Sequence, residues 1–380
     1  MMIQVQKQYG TIKQNMRLYN REDAIQHMNR LAKENKDFVF IINYEANGAY
    51  VAETSDIDPT ELLYSFPSFD NVPSDESCNN EEVEWQIQPL TRDEYEPRIN
   101  LIKHYEQQGD SYLANLTCKI PIQTNLSLHD IFLRSKALYR CWMKGKFVCF
   151  SPEIFVRINE KGVISSYPMK GTIAATVPHA SKTLLDNKKE AAEHATIVDL
   201  IRNDLSMIAS KVSVSRYRYI DRLATNKGQI LQTSSEITGQ LPDDYRERIG
   251  SLLFRLLPAG SITGAPKRRT MEIIHDAEGY ERDFYTGVMG CYSNGALDSA
   301  VMIRFIDEDE QGHYYYKAGG GITAQSNNND EYNEVIEKVY VPIYWVFKGR
   351  GWAHLQPYIP SAANEQNTIR SVRTVYSPTP

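Results

Sequence analysis

The chain has 380 residues, a formal net charge of −6 at pH 7, 42% hydrophobic residues and 24% charged residues. This composition is typical of a globular protein and excludes a disordered or collagen-like chain. There is no surplus of basic residues to cover a nucleic-acid backbone, and no apolar run approaches the roughly 20 residues of a membrane span. The first residues lack the apolar core of a signal peptide. We therefore expect neither a nucleic-acid partner nor a membrane partner.

The cysteines indicate the compartment. They are odd in number and lack the CxxC spacing of many zinc sites: Cys78, Cys118, Cys141, Cys149 and Cys291. Reduced thiols are typical of cytoplasmic proteins, in which disulfides are rare. We therefore expect a cytoplasmic protein without a disulfide framework.

The chain divides by pattern into three regions. Residues 1–90 predict an α/β region that packs on the body, with a helix over residues 21–36. Residues 91–344 predict the catalytic core and include a helix over residues 127–140. Residues 345–380 lose periodicity and predict a C-terminal tail.

A long helix is predicted over residues 186–209, because apolar residues recur there at helical spacing: Ile197, Ile201, Leu205 and Ile208. Glu190 and Glu193 fall on the same face one turn upstream. Burying unpaired carboxylates is costly, and a bound Mg²⁺, which prefers oxygen ligands, would remove that cost. The alternative is an exposed first turn, where acids interact favourably with the helix dipole.

A second acid pair has the same spacing. Glu331 and Glu334 follow the glycine strand end and polar loop AGGGITAQSNNN. Two such helix starts could hold one Mg²⁺ from opposite sides. The alternative is again an ordinary helix N-terminus, which the pattern alone favours.

The segment LLPAGSITGAPKRRTMEII is a loop that leads into a helix. Such a loop can present backbone N–H groups to an anion, although its spacing is not that of a P-loop. A purely structural turn is the alternative.

Three further residues are candidates for chemistry. Lys170 lies at a strand end beside Gly171, where desolvation can make a lysine nucleophilic; a surface lysine is the alternative. Glu153 at the head of a strand predicts a general acid or an edge carboxylate. Arg304 lies in an apolar strand and needs a partner, which is either a substrate carboxylate or an internal acid.

Taken together, these segments resemble the chorismate-utilising enzymes, which include anthranilate, isochorismate, salicylate and aminodeoxychorismate synthases. Matching segments run from about residue 112 to residue 339: SPEIF, PMKGT, EAAEHATIVDLIRNDL, QTSSEITG, LLPAGSITGAPKRRTMEII, DFYTGVMGCYS, DSAVMIR and AGGGITAQSNNNDEYNEV. The resemblance implies an α+β chorismate-binding fold, with a large two-sheet, mostly antiparallel β core and flanking helices. It also implies a buried chorismate site with Mg²⁺.

The resemblance assigns roles to residues of this chain. Glu193 and Glu334 would bind Mg²⁺ directly, and Glu190 and Glu331 would contact it through water. Glu153 would be the general acid that helps the C4 hydroxyl leave. The remaining substrate-binding residues would be Arg304 and Tyr285 at the enolpyruvyl carboxylate, and Gly171, Thr172, Ser261, Gly319, Gly320 and Gly321 along the pocket.

Position 170 distinguishes the members. The segment PMKGT is similar to the PIKGT of aminodeoxychorismate synthases, whereas anthranilate synthases have alanine in place of Lys170. The resemblance implies that Lys170 attacks C2 of chorismate and that ammonia then enters at C4, giving the precursor of 4-aminobenzoate in folate synthesis. The neutral lysine is needed, so we expect the pocket to lower its pKa. Two further positions disfavour the other reactions. Leu113 aligns with a lysine of isochorismate synthases, and Gln232 aligns with a histidine of anthranilate synthases.

The chain has no cysteine elbow of a fused glutaminase, so the resemblance implies a separate glutamine amidotransferase that supplies ammonia. The nearest alternative is component I of anthranilate synthase. An alternative of another class is a non-catalytic binding protein with this fold. The presence of Glu153, Lys170 and all four acids disfavours it.

Overall fold

The computed structural model describes residues 16–74, 76, 82–225 and 228–340. Within these residues the helices are α1 (Arg21–Lys33), α2 (Arg92–Gln107), α3 (Leu128–Arg134), α4 (Ala180–Asp186), α5 (Lys188–Ser206), α6 (Ile249–Leu256), α7 (Lys267–Glu278) and α8 (Asn328–Glu337). Short 3₁₀ turns span Thr54–Asp56, Tyr245–Arg248 and Gly260–Ile262.

The strands in the same part of the chain are β1 (Leu18–Asn20), β2 (Phe38–Ile42), β3 (Gly48–Glu53), β4 (Leu62–Phe66), β5 (Phe69–Asp70), β6 (Trp85–Ile87), β7 (Leu113–Thr124), β8 (Tyr139–Met143), β9 (Phe147–Ser151), β10 (Ile154–Ile158), β11 (Val163–Ser166), β12 (Met169–Ala174), β13 (Ser210–Thr225), β14 (Gly228–Gln240), β15 (Gly264–Ala265), β16 (Val288–Ser293), β17 (Ala296–Val301), β18 (Phe305–Glu308) and β19 (Tyr314–Ile322).

The strands form two sheets. Sheet A has the order β1-β3-β2-β16-β17-β10-β11-β14-β12, with β13 also paired to β14. Sheet B has the order β15-β7-β19-β18-β9-β8-β4-β5, with β6 also paired to β7. All of these pairings are antiparallel. The predicted two-sheet antiparallel core with flanking helices is therefore confirmed.

Strand β2 shows how the layers pack. All five of its residues are buried, because both faces of sheet A are covered. Phe38 and Phe40 pack with buried residues of α1 and α6, whereas Val39 and Ile41 pack in the layer between the sheets. A third cluster joins the far face of sheet B to α2, α3, α7 and α8. Four layers of secondary structure result, with helices outside and the two sheets between them.

The N-terminal region is part of this core. Strands β1 to β3 belong to sheet A, and β4 and β5 belong to sheet B. The region that was predicted to pack on the body therefore completes both sheets. Residues 1–15 and the predicted tail at 345–380 lie outside the described residues.

The predicted helices are present, with different ends. Helix α1 ends at Lys33, and α5 begins after Asn187, whose side chain accepts from the backbone N–H of Glu190. Helix α3 stops at Arg134, short of the predicted range, because the chain then extends into β8. The described part of the chain contains no helix long and apolar enough to cross a membrane, and its cysteines are free and buried.

Candidate active site

A cavity of about 380 Å³ lies where the two sheets, α5 and α8 approach each other. Ten residues predicted from the sequence line it: Glu153, Lys170, Glu193, Ser261, Tyr285, Arg304, Gly319, Gly320, Gly321 and Glu334. Four do not: Glu190, Glu331, Gly171 and Thr172. Of these, Thr172 is exposed, while the other three pack behind the cavity wall.

A bulge in β12 directs Lys170 into the cavity. The pairing of β12 with β14 shifts register between Lys170 and Thr172, and Gly171 between them has a φ of +76°. Positive φ is accessible to glycine at little cost. The hydroxyl of Thr233 donates to the backbone oxygen of Lys170. Strand β12 is thus held at the residue that carries the amine.

The amine of Lys170 lies among carboxylates. Its Nζ is 2.7 Å from Oε2 of Glu193. Burial alone would lower the pKa of Lys170, but the hydrogen bond and charge of Glu193, with the charges of Glu190 and Glu334, raise it above its usual value. The expectation that the pocket itself lowers this pKa is therefore wrong. The sequence did not reveal that Glu193 ends in contact with the amine.

Glu190 lies in the first turn of α5 but does not point to solvent. Its Oε2 is buried and has no hydrogen-bond partner. A Cβ on Gly171 would lie 3.1 Å from that oxygen. Glu190 thus lies in the first turn of the helix, as the alternative interpretation expected, but its carboxylate faces the bulge of β12 and not solvent.

The second acid pair lies on α8, against the glycines of β19; Glu331 is in the first turn, and Glu334 lies one turn further along. A Cβ on Gly320 would lie 3.6 Å from Oε1 of Glu334 and 3.7 Å from Oε2 of Glu331. Burial raises the pKa of Glu331, which accepts from the Ser326 hydroxyl at 2.8 Å. Burial also acts on Glu334, but the ammonium of Lys338 holds its pKa below the usual value.

Lys338 is a residue of the site that sequence reasoning missed. It lines the cavity, and its Nζ lies 2.6 Å from Oε1 of Glu334 and 2.8 Å from the backbone oxygen of Gly319. The i, i+4 spacing of Glu334 and Lys338 is the signal that could have found it.

The two acid pairs fit a divalent cation in their chemistry. The atoms that could bind the metal are all carboxylate oxygens, the ligands that Mg²⁺ prefers. The buried Oε2 of Glu190 has no hydrogen-bond partner. Among the described residues, no three His, Cys, Asp or Glu side chains are already close enough to hold a metal. Lysines instead neutralise part of the acid charge: Lys170 with Glu193, and Lys338 with Glu334.

Glu153 has the environment of a proton donor. Ser261 donates to its Oε1 at 2.6 Å. Burial raises the pKa of Glu153, while Ser261, Arg304 and Lys338 only partly oppose that rise. A carboxyl group that stays protonated to higher pH can deliver a proton to a leaving group.

Arg304 is a cation without an internal acid. Among the residues that the structure describes, Arg304 forms no ion pair with a carboxylate; its side chain hydrogen-bonds with Tyr340, and its Nε is buried without a hydrogen-bond partner. Its Cζ lies 5.6 Å from the centre of the Tyr340 ring. The backbone of Arg304 has a φ of +56°, a strained value for a large residue. Of the two predicted partners, the structure therefore favours a ligand anion.

The remaining predicted residues shape the wall. Tyr285 is buried, and burial raises the pKa of its phenol. A Cβ on Gly319 would lie 2.4 Å from the backbone oxygen of Leu116, so that position requires glycine. Leu113 and Gln232 also line the cavity, and neither side chain can transfer a proton at neutral pH.

Comparison with known sequences extends over nearly the whole described chain. The family described as chorismate binding enzyme matches residues 4–343. An uncharacterized PabA-like protein of Haemophilus influenzae is 44% identical over 320 residues, which are 84% of this chain and 96% of that protein. Aminodeoxychorismate synthase component 1 of Salmonella typhimurium is 31% identical over 320 residues, which are 80% of this chain and 65% of that protein.

Solved structures show the same fold. The menaquinone-specific isochorismate synthase of Escherichia coli superposes with a TM-score of 0.62 at 15% identity, over 85% of this chain and 82% of that one. Anthranilate synthase component I of Streptococcus pneumoniae superposes with a TM-score of 0.58 at 27% identity, over 70% of this chain and 61% of that one.

Proposed function

The chain belongs to the family of chorismate binding enzymes, as its sequence and fold predicted, and on that premise we propose that it aminates chorismate at C4 to 4-amino-4-deoxychorismate. The observation that carries the proposal is the position of Lys170. Its amine contacts Glu193, and Lys170 and Glu153 line the same cavity. A cavity that combines a lysine nucleophile with a proton donor suits displacement of a hydroxyl group.

The substrate would be oriented by its carboxylates. Arg304, without an internal acid, would bind the enolpyruvyl carboxylate together with the phenol of Tyr285. The glycines of β19, Gly319 to Gly321, leave room for the ring because they carry no side chains. Lys338 at the same wall adds a second cation for the dianionic substrate.

The lysine reaction conserves atoms and charge. The neutral amine of Lys170 attacks C2, both ring double bonds shift by one position toward C4, and the C4 hydroxyl leaves as water with the proton of Glu153. Ammonia then attacks C4, both double bonds shift back, and the C2–N bond breaks to return the neutral amine. The proton released by the new C4 ammonium goes back to Glu153. The sum is chorismate plus ammonia giving aminodeoxychorismate plus water.

Glu193 and Glu334 would bind Mg²⁺ directly, and Glu190 and Glu331 would contact it through water. A bound Mg²⁺ would supply positive charge for these acids and for the ring carboxylate of the substrate, and the amine of Lys170 would then no longer be paired with Glu193. The buried and unpartnered Oε2 of Glu190 supports this assignment.

The ammonia would come from a separate glutamine amidotransferase subunit in the cytoplasm, on the route to 4-aminobenzoate and folate. The 31% identity to an aminodeoxychorismate synthase component 1 supports this pairing. The nearest alternative is the anthranilate synthase reaction, which is supported by the 27% identity to a component I of that enzyme. Lys170 and Gln232 at the cavity argue for amination at C4 without loss of pyruvate.

Product analysis tests the proposal. The purified chain is incubated with chorismate, Mg²⁺ and ammonium at mildly alkaline pH, and products are separated by liquid chromatography and mass spectrometry. Aminodeoxychorismate from the wild type, lost in Lys170→Ala, supports the lysine reaction. Anthranilate from the wild type would overturn it in favour of the rival. Unchanged chorismate, also after addition of an amidotransferase subunit, would favour a non-catalytic binding protein.

A further inference from the structure

The segment between α6 and α7 carries Ser261 and is held by an ion pair. Nζ of Lys267 donates to Oδ2 of Asp204 at 2.7 Å and to the backbone oxygen of Leu256 at 2.9 Å. Leu256 ends α6, Lys267 begins α7, and Asp204 lies in α5. This ammonium therefore joins both ends of the segment to α5. The side chains are 20% and 11% exposed, so solvent screens the pair only weakly.

The turn Gly260–Ile262 rests directly on this pair. A Cβ on Gly260 would lie 3.0 Å from Oδ2 of Asp204 and 3.0 Å from the side chain of Leu200. The turn therefore has no room to move toward α5. Ser261, the next residue, donates to Oε1 of Glu153 at 2.6 Å. A change in how Asp204 is held would change the position of the hydroxyl that contacts Glu153.

Building on the proposed function, we propose that Asp204 and Lys267 are positioning residues of the reaction: their ion pair holds the turn Gly260–Ile262 so that the Ser261 hydroxyl stays on the proton donor Glu153. Asp204 also lines the cavity, but among the described contacts neither residue has a hydrogen bond or ion pair with Lys170 or Glu153. Helix α5 also carries Glu193, about three turns before Asp204. One helix thereby sets the lysine end and the proton-donor end of the cavity.

The effect on Glu153 must pass through Ser261. The charged groups that act on Glu153 are Arg304, which lies between β17 and β18, and Lys338, which follows the end of α8. Ser261 is the neutral donor whose hydrogen bond lowers the pKa that burial raises. Loss of the Ser261 contact would leave Glu153 binding its proton more tightly.

The test is a double-mutant cycle read by pH profile. Asp204→Asn, which preserves shape, is expected to lower kcat about tenfold, the effect of losing one hydrogen bond to a charged group. It should also move the alkaline limb of kcat/KM about one pH unit higher. Ser261→Ala should do the same, and the double variant should be no worse than Ser261→Ala alone. Lys267→Met must reproduce the shift, whereas Lys267→Arg must leave the alkaline limb at its wild-type position.

Asp110→Asn is the matched control, because it breaks an ion pair to Arg269 of 2.9 Å on the same helix α7. It should leave the alkaline limb in place. The proposal would be overturned if Asp204→Asn left the alkaline limb of kcat/KM unchanged and if its loss of kcat added to that of Ser261→Ala in the double variant.

A second measurement does not depend on turnover. The infrared carbonyl band of protonated Glu153, identified by its absence in Glu153→Gln, is titrated without substrate in each variant. If the chain does not aminate chorismate, this titration still reports the Ser261 contact, so the two proposals fail separately. A titration that is the same in Asp204→Asn and wild type would contradict the positioning role.

Discussion

The ammonium of Lys170 on β12 lies 2.7 Å from the carboxylate of Glu193 on α5. The contact joins the proposed nucleophile to one of the proposed metal-binding acids. Because Glu193 raises the pKa of Lys170 above its usual value, the lysine stays charged as long as this carboxylate has no other partner. The nucleophile and the acid pair therefore form one unit, and neither is available without a change in the other.

Lys170→Ala tests the nucleophile. Removing the amine should lower C4 amination by at least about a thousandfold, since one covalent step is lost. Chorismate affinity should fall much less, because Arg304 and Tyr285 remain. Steady-state kinetics with free ammonia and a direct binding titration measure the two effects.

Lys189→Ala is its matched control. Lys189 also pairs with Glu193, at 3.8 Å, but its side chain is 78% exposed. Its loss should change kcat less than about twofold, the level expected of a surface ion pair. Equal losses in the two variants would mean that Lys170 acts only through its charge.

Gly171→Ala tests the bulge. The new Cβ would meet Oε2 of Glu190 at 3.1 Å and the side chain of Leu184 at 3.2 Å, at a φ of +76°. We expect a loss of about 1–3 kcal/mol in the free energy of unfolding and a large drop in kcat. Gly109→Ala, at a φ of +84° with nothing within 4 Å, gives the backbone strain alone. If the two glycines behave alike in urea unfolding and activity, the contact with Glu190 has no part in the effect.

Local patterns predicted much of the fold. Helix α5 was predictable because Asn187 caps it and apolar residues recur at helical spacing. Helix α3 was predicted to end at residue 140, but Tyr139 and the residue after it begin β8, which is buried on both faces: Tyr139 packs between the sheets and Trp142 on the opposite side. A short apolar run cannot distinguish a buried strand from a helix.

The site was predictable in its residue types but not in its pairings. Motif resemblance placed Lys170 and the acids together, but the contact of Lys170 with Glu193 joins different elements and inverts the expected shift in pKa. The pair of Asp204 and Lys267 has no sequence signal, because 62 residues separate its members. Such contacts depend on tertiary packing that no local pattern encodes.

The buried pair of Glu278 and Arg282 should dominate local stability. Oε1 of Glu278 lies 2.6 Å from Nη2 of Arg282, and the side chains are 1% and 2% exposed. Glu278 also accepts from the backbone N–H of Thr117 at 2.7 Å. Glu278→Gln would leave a buried guanidinium without its counterion, at a cost of about 3–5 kcal/mol in urea unfolding. Glu34→Gln, in the exposed i, i+4 pair with Arg30, should cost less than about 0.5 kcal/mol.

Glu106 on α2 should make the protein less stable as pH rises. Burial raises its pKa to about 8, and the backbone N–H of Ala114 and the charge of Lys103 oppose this only in part. From about pH 4.5 to pH 8 the unfolded chain loses this proton while the folded chain keeps it, so the free energy of unfolding falls with pH and levels off above pH 8. Glu106→Gln should remove about 2 kcal/mol of that fall, a value below the full linkage figure because water partly screens the charge. Urea unfolding at pH 5, 7 and 9 measures this fall. The control is Glu96→Gln, which changes an exposed acid on the same helix. If the free energy of unfolding of wild type and Glu106→Gln changed with pH in parallel, the pKa of Glu106 would be the same in the folded and unfolded chains, which would contradict the prediction.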